Sequence, residues 1–303
     1  MARVKRSIVP TSRAKELSNS DIYVICCGVE GCTCERKDNQ CERGFFSLFI
    51  QSIYGIDFAA RHNIPYHVGF SNLTYCYSEN ESDNIWNYYF EQPVPFIPTH
   101  YTSTINLFHE NYPLLIWDRS HLREMNQHVR QLKFHDSVLA RISHAKASVI
   151  QGKTLGVHVR RTDHSVEIPP VPLTRYFRVI DKHISRYDTL FLATDDANVV
   201  QAFRSRYGDK LRVNNVTRSD GALSLHRDRR IQTRRELGTE VLTDCLCLAA
   251  CDKLILTFSN VSYAALMFNP DVPYVLLEQP RTTWRRYKTL IVYFLNKWGI
   301  RKW

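Results

Sequence analysis

The run Leu155-Gly156-Val157-His158-Val159-Arg160-Arg161-Thr162-Asp163 joins a short apolar stretch to two guanidiniums flanked by an imidazole and a carboxylate. Apolar and β-branched residues suit a buried strand, and packing supplies no reason to place His158, Arg160, Arg161 and Asp163 at its end. Arginine offers planar, paired donors that match phosphate oxygens and keeps its charge at any physiological pH. The chemistry on offer is anion binding, with a diphosphate as the first ligand to consider. An inter-element salt bridge is the alternative, because charges also gather at strand ends for solvation. An acidic pair, Asp195-Asp196, follows the apolar run 189–193. It reads either as part of the same site or as a helix cap favoured by the macrodipole.

Such a cluster needs a sheet to hold it. From residue 154 onward, short apolar runs alternate with amphipathic segments, the pattern of parallel β-α-β units. Strands are expected at 154–159, 189–193, 211–213, 253–257 and 272–277, with helices at 174–186, 197–207, 240–250 and 263–268. In an open α/β sheet, ligands sit at the carboxyl ends of the strands. The segment 214–236 is a long loop carrying Arg227, Arg229, Arg230, Arg234 and Arg235, and loops of that length are commonly functional. The first half is similar in kind, with strands at 22–26 and 65–69 around an amphipathic segment at 45–62. The aromatic-rich stretch 75–101 suits either a carbohydrate or base site or packing. A domain boundary is placed near Gly152.

The chain has 303 residues and a formal charge of +10, which favours an anionic partner without choosing among nucleic acid, lipid and a phosphorylated small molecule. Nine cysteines leave at least one thiol unpaired within a monomer. Cys32, Cys34 and Cys41 could hold a metal only with a fourth ligand from elsewhere, and Cys245, Cys247 and Cys251 read as small buried hydrophobes. The basic, polar N-terminus has no apolar core of a secretory signal, and no stretch spans a membrane. The expected location is cytoplasmic, with peripheral membrane contact through residues 281–303. That tail has seven Arg and Lys and no acid, interleaved with Trp284, Tyr287, Leu290, Ile291, Tyr293, Phe294, Trp298 and Trp303. If helical, it places Tyr287, Leu290, Ile291 and Phe294 on one face, which either meets an anionic lipid surface or docks on the protein.

Three ordered motifs, His158-Val159-Arg160-Arg161-Thr162-Asp163, Leu192-Ala193-Thr194-Asp195-Asp196 and Thr257-Phe258-Ser259, resemble those of α1,6-fucosyltransferases across about 154–277. Before Gly152 the likeness is loose, in Arg43-Gly44-Phe45 and Asn84-Ile85-Trp86-Asn87-Tyr88-Tyr89-Phe90. The resemblance implies a GT-B-like α/β fold of two Rossmann-like lobes, divided as 1–151 on the acceptor side and 152–280 on the donor side. It also implies a GDP-fucose donor, a glycan acceptor, inversion at the anomeric carbon, and no cofactor or divalent metal. By the same resemblance Arg160 and Ser259 meet the β-phosphate, with Arg161 beside them, and His158 and Asp244 meet guanine. Asp195, Asp196 and Asp163 match the family's acids, and Tyr176 matches a site tyrosine or packs its helix. Glu167 is the candidate base, paired with His164. The family has lysine at the position of His164 and its glutamate one residue later, so His164 stands as the alternative base. A transferase using another GDP-sugar and a nucleic-acid-binding protein are the competing readings. The second lacks any nucleic-acid module, so no nucleic-acid partner is expected.

Overall fold

The computed structural model describes residues 22–26, 40–61, 63–71, 74–80, 82–94, 115–161, 171–220, 225, 228, 231, 233–278, 284–298 and 300. The chain divides into two compact units, one comprising 1–116, 131–133 and 281–303, the other 117–130 and 134–280.

The second unit is built on five parallel strands: β5 (Thr154–Val159), β6 (Thr189–Thr194), β7 (Leu211–Arg212), β8 (Lys253–Leu256) and β9 (Tyr274–Leu276). Their spatial order is β7-β6-β5-β8-β9. The chain steps outward from β5 through β6 to β7, then returns past β5 to β8 and β9, which is the order of the first five strands of a doubly wound dinucleotide-binding sheet. β5 pairs with β6 over its full length, from Thr154 opposite Thr189 to Val159 opposite Thr194. Every residue of both strands is buried, as expected of central parallel strands covered on two faces. Edge strand β9 is only partly buried.

Helices α4 (Leu173–Asp181), α5 (Ala197–Tyr207), α6 (Arg234–Ala249) and α7 (Asn260–Phe268) fill the connections. The expected helix at 174–186 ends earlier, at Asp181, and a short 3-10 turn at Ile184–Arg186 follows. α6 starts at Arg234 rather than 240, so Arg234 and Arg235 belong to a helix and not to the basic loop. Arg227, Arg229 and Arg230 lie outside the described residues. Cys245 and Cys247 on α6 and Cys251 just after it are buried free thiols, as the reading of small buried hydrophobes expects.

Two further helices, α2 (Arg119–Val129) and α3 (Asp136–Val149), also belong to this unit. Asn126 of α2 donates to the carbonyls of Met267 and Phe268 at 2.7 and 3.1 Å, satisfying the last turn of α7. Trp117 packs its indole against the rings of Phe258, Tyr263 and Tyr274, and Arg141 of α3 pairs with Glu236 of α6. The chain thus passes from the first unit to the second between the consecutive residues Ile116 and Trp117, ahead of the boundary expected near Gly152. Gly152 is instead the turn that launches β5, with φ of 66°, where a Cβ would fall 2.5 Å from Asp188 Oδ2.

In the first unit, β1 (Tyr23–Ile25) pairs in parallel with β3 (Tyr66–Val68), and β2 (Gln40–Cys41) with β4 (Thr74–Tyr75). Between them runs α1 (Phe45–Arg61), buried throughout Phe45–Ala59, so the segment read as amphipathic at 45–62 is a core helix. Its Phe45 meets Tyr89 edge-on, and Phe49 stacks with Trp86. The described aromatics of 75–90 thus serve packing. The tail forms α8 (Trp284–Lys297) within this unit.

Candidate functional site

The carboxyl ends of β5, β6 and β8 bring three separated segments to one edge of the sheet. Arg160 and Arg161 leave β5, Asp195 and Asp196 leave β6, and Thr257-Phe258-Ser259 leaves β8. The crevice between β5 and β8 is where the strand order reverses, and ligands of open α/β sheets sit at such a point.

Asp195 ties two of these ends together. One oxygen accepts the backbone N–H of Arg161 at 3.1 Å, and the other lies 3.6 Å from Nε of Arg160. Its own carbonyl accepts from Ser219 N. The inter-element salt bridge raised as an alternative is present, and Arg160 and Asp195 also line the cleft. Asp196 acts as the cap of α5, its side chain accepting from Asn198 N at 2.7 Å. Asp196 is not among the residues lining the cleft.

His158 is buried at the end of β5, and its Nδ1 lies 2.8 Å from Ser262 Oγ and 3.2 Å from Ser259 Oγ. Ser259 is the N-cap of α7 and accepts from Ser262 N at 3.1 Å. This triad fixes the imidazole and sets the positive end of the α7 dipole beside the strand-end arginines.

Asp244, midway along α6, is buried and accepts from Asn214 Nδ2 at 2.7 Å. Burial pushes its carboxyl up to about 6, against the smaller opposing effects of that hydrogen bond and of the nearby Arg218 charge. Arg218 braces the strand-to-helix loop by donating to the carbonyls of Asn214 and Val216. Glu240, one turn before Asp244, accepts from Thr217 N at 3.0 Å.

An open cleft with about 460 Å³ of empty space covers this edge. Its polar wall holds His158, Arg160, Asp195, Thr217, Glu240 and Asp244, and its apolar wall includes Ala193, Val216, Leu237, Val241 and Val261. The arrangement has a cationic mouth, apolar sides and a buried carboxyl with one oxygen already engaged. It can hold an anion at one end and a flat donor group at the other.

Tyr176 on α4 is absent from the cleft. It lies in the hydrophobic core beneath β5 and β8, sharing a hydrogen bond with the Thr257 hydroxyl, and burial pushes its phenol up to about 12. Asp163, His164 and Glu167 lie outside the described residues, as do Cys32 and Cys34. Among the described residues no group of three His, Cys, Asp or Glu side chains is placed to hold a metal ion. Asn214, Thr217, Glu240 and Ser262 were not read from the sequence. Ser262 had a signal, since Ser259 three residues earlier marks a helix start. Asn214 had another, a polar residue closing a strand on the same edge.

No protein-family model and no curated protein sequence matches the chain. Solved structures do. NodZ α-1,6-fucosyltransferase co-crystallized with GDP superposes with a TM-score of 0.51 at 17% identity, covering 82% of this chain and 93% of that one. Fucosyltransferase NodZ from Bradyrhizobium, as its selenomethionine form, gives 0.50 at 17% identity over 82% and 92%. A variant of Arabidopsis thaliana FUT1 in complex with GDP gives 0.52 at 9% identity over 90% and 74%. With identities this low, what the superpositions share is architecture: the chain has the α/β fold of these fucosyltransferases.

Proposed function

We propose that the chain is a GT-B-like glycosyltransferase that moves fucose from GDP-fucose to a hydroxyl of a glycan acceptor. It would act with inversion and without a divalent metal, the α1,6 linkage being favoured. The observation that carries this reading is the convergence at the carboxyl edge of the sheet of Arg160, the His158–Ser259–Ser262 triad and the buried Asp244. The solved relatives of the same fold that hold GDP or GDP-fucose support the donor class.

In the proposed reaction the acceptor oxygen attacks the anomeric carbon. The bond from that carbon to the β-phosphate oxygen breaks, its electron pair leaves with GDP, and the acceptor proton passes to a base. Negative charge grows on the β-phosphate as the bond opens, and fixed cations and dipoles aimed at it lower the barrier. Arg160, Arg161, Ser259 and the α7 N-terminus are assigned that role. Asp244 is assigned to guanine, whose ring N–H and exocyclic amine are donors that match a carboxylate. Glu167 is the proposed base, with His164 as its alternative. Asp195 holds the two arginines in place.

The test is GDP release by purified protein from GDP-fucose, GDP-mannose and UDP-sugars, with and without EDTA, for wild type and Arg160→Ala. The expected result is turnover of GDP-fucose alone, indifferent to EDTA and lowered about 10²–10³-fold by the substitution. Preference for another GDP-sugar would replace the fucose assignment, and absence of both turnover and GDP binding would overturn the transferase reading. The anomeric configuration of a captured product, read by NMR, decides inversion.

A further inference from the structure

Among the described residues, six large hydrophobic side chains are exposed, and five of them lie on α8 or the turn after it. They are Trp284 at 77%, Tyr287 at 50%, Ile291 at 41%, Trp298 at 65% and Ile300 at 68%. Trp284, Tyr287, Ile291 and Trp298 recur at helical spacing on one face. Trp298 continues the helix, its N–H donating to Phe294 O at 2.9 Å. The opposite side anchors the helix within its own unit, because Val292 and Tyr293 are buried and the Tyr293 ring meets Tyr54 of α1 edge-on at 5.7 Å. The face is thus held rigidly outward. Trp284 and Tyr287 stack on each other, and so lie along the surface instead of folding inward.

Large apolar side chains gathered on one exposed face mark a site of interaction with a protein or a membrane. The sequence from 281 to 303 holds seven Arg and Lys and no acid, so a second copy of the same face would bring like charges together. Indole and phenol rings with cations beside them suit the boundary between headgroups and acyl chains. No helix among the described residues is long and apolar enough to cross a membrane, so the contact is peripheral. We propose that α8 lies in the plane of an anionic bilayer, inserting Trp284, Tyr287, Ile291 and Trp298 while its cations meet the headgroups. This differs from the expected face of Tyr287, Leu290, Ile291 and Phe294, since Leu290 and Phe294 are partly covered by the protein.

The proposal stands apart from the donor site, which permits a clean test with the full chain. Cosedimentation is measured with vesicles of phosphatidylcholine alone and with added phosphatidylserine, for wild type, for Trp284→Ser/Ile291→Ser/Trp298→Ser and for Leu139→Ser, which alters the sixth exposed side chain. Wild type and Leu139→Ser are expected to bind only the anionic vesicles, and brominated lipid is expected to quench the indole fluorescence. The triple variant is expected to lose at least about tenfold in partitioning with its GDP affinity unchanged. Undiminished binding by the triple variant, binding indifferent to phosphatidylserine, or no vesicle binding by wild type overturns the proposal. So does a reversible dimer that the same substitutions dissolve.

Discussion

Asp244 costs the fold stability at neutral pH. Its carboxyl is raised from an ordinary 3.8 to about 6 by burial, so the folded chain holds that proton more tightly than the unfolded chain does. The stabilising contribution is complete below about 3.8 and is lost as pH rises through about 6. At neutral pH the buried charge costs up to about 3 kcal/mol. Asp244→Asn keeps an acceptor for Asn214 and removes the charge, so its melting temperature at pH 7 is expected to rise. If guanine donates to the carboxylate, binding needs the proton gone. Affinity for GDP-fucose, whose diphosphate diester does not titrate in this range, should then weaken about tenfold per pH unit below about 6. Asp244→Asn should abolish that slope and lower affinity at pH 7 by about ten- to a hundredfold. Titration calorimetry of both proteins from pH 5 to pH 8 decides it, and an identical slope in the variant rules out Asp244 as the titrating group.

Gly156 shows how tightly the central strands approach the elements around them. A Cβ there would fall 2.6 Å from Leu254 Cδ2 in the neighbouring strand β8 and 2.8 Å from Cys251 Sγ. Both side chains are buried, so neither can swing into solvent. Gly156→Ala is expected to cost about 1–3 kcal/mol by overpacking. A thermal melt reads this as a fall of several degrees, and an unchanged melting temperature would mean the seam is looser than it looks. The same close packing explains what the sequence disclosed. β5, β6 and β8 are buried on two faces, so they stand out as apolar runs that stop abruptly at polar motifs, and their ends pointed to the cleft. α2 and α3 were not anticipated because their buried stripes are thin: His121, Leu122, Met125 and Val129 in one, Val138, Ile142 and Val149 in the other. With those two helices unread, the boundary fell one layer too late. Asn214 and Glu240 escaped for another reason. Their importance lies in partners 30 and 23 residues away, which periodicity does not report.

At the scale of the whole molecule, the first unit was the less legible, since its pairs β1-β3 and β2-β4 are short and its helix α1 is buried almost all round. The second unit declared its class but hid its extent. Its central seam joins distant stretches of chain, His158 meeting Ser262 104 residues later and Thr154 meeting Asp252 98 residues later. Contacts that close long loops are slow to form. On dilution from denaturant, recovery of GDP binding is therefore expected to track the slowest phase seen by circular dichroism. Nucleotide capture ahead of that phase, followed by stopped flow, would show the seam closing early. There is a consequence for synthesis on the ribosome. A nascent chain that has emerged only as far as α6 carries both arginines and the carboxyl of Asp244, yet lacks β8, Ser259 and the first turn of α7. Until those last segments are delivered, the growing chain has the charges of the crevice without one of its walls, and the proposed nucleotide site is completed late in its own translation.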